Sequence, residues 1–155
     1  MKAIVLAALV VLAPCVAAAQ GLAGLEGRWL GSCPGCAAGA MPGGFARTLV
    51  IRVSTSAITI QQGGLSAEAY QLDGSDTQLR DGRTATALVA DGSLVVRTVR
   101  KRARSRDEVF QTILRDIYRV SGNTLTVERS ARAIRPDEPP SEKWASVGEV
   151  VYRRD

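Results

Sequence analysis

The chain has 155 residues, 46% hydrophobic and 23% charged, the composition of one globular domain and not of a disordered or collagen-like chain. It contains no histidine, which excludes Ser-His-Asp and Cys-His nucleophiles, His-ligated metals and c-type haem attachment. The formal charge of +5 fits adhesion to an anionic envelope and does not by itself call for a nucleic-acid partner.

Lys2, an apolar run over residues 3–13 and Ala17-Ala18-Ala19 as a small-x-small cleavage site make a signal-peptide pattern. Residues 1–19 are therefore expected to be removed, leaving residues 20–155 as one secreted or periplasmic domain without a transmembrane segment. The apolar run is short, alanine-rich and broken by Pro14, which argues against a membrane span. Cys15 raises lipid anchoring, but Pro14 breaks the Leu-small-small-Cys pattern that anchoring resembles.

Strands separated by turns follow. Residues 25–30 form a first strand, and residues 32–44 a Gly/Ala/Pro loop with both remaining cysteines. Residues 48–54 alternate, with Leu49, Ile51 and Val53 on one face; residues 57–62 follow after a tight turn at Thr55-Ser56. Residues 68–73, 77–80, 84–90 and 93–100 are further strands, punctuated at Gly63-Gly64, Asp73-Gly74-Ser75, Asp81-Gly82 and Asp91-Gly92. Asp-Gly between apolar runs is a hairpin signal, because both residues tolerate positive φ.

Residues 109–120 admit a helical spacing through Val109, Ile113 and Ile117. They also admit period two, with Phe110, Leu114, Tyr118 and Val120 on one face and Thr112 and Asp116 interrupting it. Their β-branched and aromatic content and the Ser121-Gly122-Asn123 turn favour a long strand. Residues 124–131 complete that hairpin with Leu125 and Val127 inward, residues 135–143 are a Pro-rich loop, and residues 147–153 are a last strand. Nine or ten strands in sequential hairpins predict an all-β antiparallel meander closed into a barrel, which hides sheet edges best. A β-sandwich is the alternative.

Gly27-Arg28-Trp29 on the first strand, followed by a meander, resembles the lipocalin-like (calycin) barrels. Tyr70-Gln71-Leu72-Asp73-Gly74-Ser75 and a closing Val150-Val151-Tyr152 strand resemble small secreted bacterial proteins of that type. The Thr-Asp-x-Tyr element usual in lipocalins is missing. The resemblance implies that the Trp29 indole closes one end of the barrel under an arginine, for which Arg153 and Arg154 are the candidates. Otherwise Trp29 is an ordinary core aromatic.

Cys33-Pro34-Gly35-Cys36 is expected to be a disulfide in an exported protein, stiffening the loop locally. Thiol redox chemistry and a Cu(I) site with Met41 are the sharper alternatives, but no βαβ context surrounds the motif and zinc lacks its histidines. Arg97, Arg100, Lys101, Arg102, Arg104 and Arg106 crowd one hairpin, and alternation puts Arg100, Arg102, Arg104 and Arg106 on one face. They are candidates for an anionic partner, or a solvated tip. No aromatics interleave with them, which argues against single-stranded nucleic acid. Asp73, Asp76, Asp81 and Asp91 sit at turns; Asp116 is either the partner of a core arginine, the favoured reading, or a polar group in a cavity.

The expected function is that of a non-catalytic binding or structural barrel, with no catalytic residues, cofactor or metal. A cavity would take a small apolar or amphipathic ligand against Trp29, Ile51, Ile60, Tyr70, Val96, Phe110, Tyr118 and Val127. The same side chains would otherwise fill the barrel. The competing expectation is an envelope interaction module that grips an anionic partner through the basic hairpin.

Overall fold

The computed structural model describes residues 22–33, 36, 41–103, 109–136 and 143–155. Ten strands follow a 3-10 turn at Ala23–Leu25: β1 (Gly27–Ser32), β2 (Thr48–Val53), β3 (Ala57–Gln62), β4 (Glu68–Gln71), β5 (Thr77–Gln78), β6 (Thr84–Ala90), β7 (Ser93–Ala103), β8 (Val109–Ser121), β9 (Thr124–Ile134) and β10 (Ala145–Arg154). They form a single antiparallel sheet in the order β4-β3-β2-β1-β10-β9-β8-β7-β6-β5. This is one meander curled until its two ends nearly meet, so the sandwich is not realised. The expected signal segment, Cys15, Arg104 and Arg106 lie outside the described residues.

Local chemistry sets the hairpins. Asp91 (φ 50°) and Gly92 (φ 70°) both take the left-handed conformation a tight two-residue hairpin requires, and Ala90 pairs with Ser93. At the turn between Ser121 and Thr124 only Gly122 (φ 57°) takes the left-handed conformation. The 109–120 segment lies within a 13-residue strand, Val109–Ser121, as period two predicts. Several boundaries differ from the sequence reading. Leu25 belongs to the 3-10 turn. The 77–80 strand is cut to two residues because Leu79 and Gly82 turn back on each other, Gly82 N–H donating to the Leu79 carbonyl. β7 and β9 run three residues further than expected, carried by their ladders with β8.

Register orders the inner face into layers. Leu94, Tyr118, Val127 and Val150 form one row across β7–β10, and Val96, Asp116, Arg129 and Gly148 the next. Beyond them come Thr98-Leu114-Ala131, then Arg100-Thr112-Ala133. The interior thus grades along the barrel from apolar, through one ionic layer, to cationic.

The apolar end is closed. Trp29, Leu22, Leu49, Ile58, Leu94, Leu125, Val127 and Tyr152 are fully buried there. Trp29 Nε1–H donates to the Leu25 carbonyl at 2.9 Å, and the Arg154 guanidinium lies 4.5 Å above the indole. Arg154 also donates to the carbonyls of Glu26 (2.8 Å) and Gly24 (2.7 Å), tying the entry turn down as a lid. Pairing decides between the two arginine candidates: Trp29 is opposite Arg154, whereas Arg153 is opposite Leu30 on the outer face. Gly27, at φ 140°, keeps the space that a Cβ would take 3.2 Å from the Arg154 Nη1.

Gly31 makes the tightest approach. A Cβ there would meet Met41 Cε at 2.7 Å and Tyr152 Cε1 at 2.8 Å. The Met41 methyl can swing, but the Tyr152 ring is buried and its hydroxyl donates to the Ala46 carbonyl at 2.8 Å. Gly31→Ala is expected to cost about 1–3 kcal/mol, as overpacking does, read as a lower urea midpoint with an unchanged m-value. A loss below about 0.5 kcal/mol would show that the ring is free to move.

Candidate functional site

The opposite end stays open. Here β4 and β5–β6 meet without a shared hydrogen-bond ladder, so the seam is held by side chains. Arg83 Nη2 reaches Glu68 at 2.8 Å and Arg83 Nε pairs with Asp81, while the Tyr70 hydroxyl donates to Glu68 at 2.6 Å. Burial first, then the Glu68 hydrogen bond and charge, push the Tyr70 phenol well above its ordinary range, so it acts as a neutral donor. Burial does the same to Tyr118 and Tyr152.

The floor of this end is the ionic layer. Arg129 donates Nε and Nη2 to the two Asp116 oxygens at 2.7 and 2.6 Å, and Nη1 to the Gly43 carbonyl at 2.9 Å. Its guanidinium also lies 4.4 Å from the Phe45 ring centre. Burial works against the Arg129 charge, yet Asp116 more than offsets it, and the net direction is upward. Asp116 is thus the partner of a core arginine.

Two recesses sit above that floor. One, of about 170 Å³, is lined by Ile60, Gln62, Leu65, Glu68, Arg83 and Arg129 among others. The other, of about 290 Å³, is lined by Arg83, Thr98, Arg100, Arg102, Thr112 and Leu114. Both include Arg83 and Leu114. Both are small beside typical ligand sites of ~300–1,000 Å³.

Of the eight cavity candidates, Ile60 lines a recess while itself buried in the core. Trp29, Ile51, Tyr70, Val96, Tyr118 and Val127 pack in the buried core, and Phe110 is half-buried beside Arg102 on the neighbouring strand. The basic hairpin is split by alternation: Arg100 and Arg102 face the larger recess, while Arg97 and Lys101 lie on the other face of β7. Cys33 and Cys36 are joined as a disulfide with Cα atoms 5.5 Å apart, and Met41 packs against the core, close to Gly31. Among the described residues no three His, Cys, Asp or Glu side chains gather at a common metal site, and no helix is long and apolar enough to cross a membrane.

Sequence reasoning missed Arg83, Glu68 and Arg129. Arg129 had a usable signal: counting outward from the Ser121–Thr124 turn pair places it opposite Asp116. Arg83 and Glu68 had none, since they meet across a seam that no strand alternation describes. Searches against protein-family models, curated proteins and solved structures find no match to this chain.

Proposed function

We propose that this chain is a secreted, non-catalytic barrel of lipocalin-like type that binds a small amphipathic molecule at its open end. The observation that carries this reading is the contrast between the ends: one is plugged by Trp29 and its arginine lid, the other holds two solvent-facing recesses of mixed lining. Leu114, Ile60 and Leu65 offer an apolar wall, and the arginines a polar rim. A non-catalytic role is supported by the chemistry at this end. There is no histidine in the chain, and Glu68, Asp81 and Asp116 are each engaged by an arginine. The test is native mass spectrometry of the protein exported from its own host. A co-purifying small molecule, released on denaturation, is expected; an apo mass that takes up no amphiphile overturns the reading.

One observation favours a second reading, an envelope interaction module. Arg97 and Arg115 lie directly opposite each other on the outer face of β7 and β8, a like-charge pairing that costs stability. Trp144 stacks over Arg115 and Arg132 on that face, at 4.4 and 5.2 Å. Binding of the protein to anionic vesicles that falls steeply with salt would support this reading.

A further inference from the structure

Thr98, Arg100 and Arg102 occupy every second position of β7, share its inner face and all line the larger recess. Thr112, from β8, sits directly opposite Arg100. The other two arginines that line these recesses are already neutralised, Arg83 by Glu68 and Asp81, and Arg129 by Asp116. Arg100 and Arg102 have no carboxylate within ion-pair distance among the described residues. Asp81 lies close enough to feel the Arg100 charge, but its carboxylate is held by Arg83.

Two guanidiniums with no ion-pair partner among the described residues, on the same side of one strand, repel each other. An oxyanion lying between them would remove the repulsion. Guanidinium N–H groups bind carboxylate and phosphate oxygens in a paired, planar geometry, and threonine hydroxyls can donate to the same oxygens. Leu114, further down the same recess, continues it as an apolar surface.

We infer that the open end carries an oxyanion subsite in which Arg100 and Arg102, with the hydroxyls of Thr98 and Thr112, hold the carboxylate or phosphate group of a short amphipathic ligand. This deepens the small-molecule reading above and rests on it. The head group sits at the rim, and the alkyl part runs inward over Leu114. A recess of about 290 Å³ restricts the ligand to a short chain.

The test is calorimetric titration of the exported protein with octanoate, octyl phosphate, octanol and inorganic phosphate. Octanoate and octyl phosphate are expected to bind at least about tenfold more tightly than octanol, the gain of a charge-assisted hydrogen-bond pair. Arg100→Ala/Arg102→Ala should abolish that preference. Arg97→Ala/Lys101→Ala removes the same charge from the opposite face of the strand and should keep it. Octanoate outbinding inorganic phosphate assigns the anion to an amphiphile, and equal binding assigns it to a free oxyanion; both support the subsite if Arg100 and Arg102 are required. Equal losses in the two double variants would reduce the effect to long-range attraction and overturn it. Octanol binding as tightly as octanoate would overturn the subsite and leave the small-molecule reading standing. Failure of all four probes would sink that reading itself.

Discussion

Asp116→Ala is expected to lower the stability of the barrel by about 3 kcal/mol, at the low end of the ~3–5 kcal/mol seen when one partner of a buried ion pair is removed. The two side chains are only 11% and 12% exposed, and they make two parallel charge-assisted bonds. Without the carboxylate, Arg129 keeps one bond to the Gly43 carbonyl and its contact with Phe45, and its charge remains at the boundary of the core. Water entering from the recess above softens the loss, because Arg129 lines it. Asp116→Leu combined with Arg129→Met replaces the pair by apolar groups and should recover most of the loss, since the penalty comes from the orphaned charge more than from the pair's own attraction. Urea unfolding of the single and double variants measures both effects. A loss under about 1 kcal/mol for Asp116→Ala would mean that the pair is already solvated and that the recess reaches beneath it.

Trp29→Ala should cost a similar or larger amount, about 3–5 kcal/mol, because it empties the centre of the closed end. The indole is fully buried, and its N–H satisfies the Leu25 carbonyl. Arg154→Ala should cost about 1–2 kcal/mol, from the lost stacking and from two orphaned carbonyl contacts that water can partly replace. The two losses should not add. A double-mutant cycle should return a coupling of about 0.5–2 kcal/mol, since the guanidinium has no ring to cover once the tryptophan is gone. Strict additivity would show that Arg154 holds the entry turn without help from Trp29.

The fold was legible because a meander repeats one rule. Each strand alternates, and each tight turn announces itself, as Asp91-Gly92 does with both residues at positive φ. Strand ends were less legible. β7 continues past Arg100 through Lys101, Arg102 and Ala103, residues with little strand preference of their own, because Gln111, Phe110 and Val109 of β8 offer a ladder. The closing arginine was legible only to within one residue. Choosing Arg154 over Arg153 required the pairing of β1 with β10, which joins opposite ends of the chain.

The site was legible in part, for the same physical reason. Alternation along β7 places Arg100 and Arg102 together, and they do line one recess. Whether an inward side chain fills the barrel or borders a space depends on what faces it from strands remote in sequence. Ile60 and Ile51 share an inner face, are paired directly across β2 and β3 and are both buried, yet only Ile60 also borders a recess. The seam closed by Glu68 and Arg83 is a contact between strands that share no ladder, so no periodicity in either segment foretells it.

Amide chemical-shift mapping of the protein, titrated with octanoate, asks most directly which end of the barrel receives a ligand. The structure leads us to expect shifts at Thr98, Arg100, Arg102, Thr112 and Leu114, around the larger recess, with the Trp29 indole N–H unmoved behind its lid. Shifts centred on Trp29, Leu125 and Tyr152, with the β7 arginines silent, would place the cavity in the packed end and overturn the assignment of the open end as the binding site.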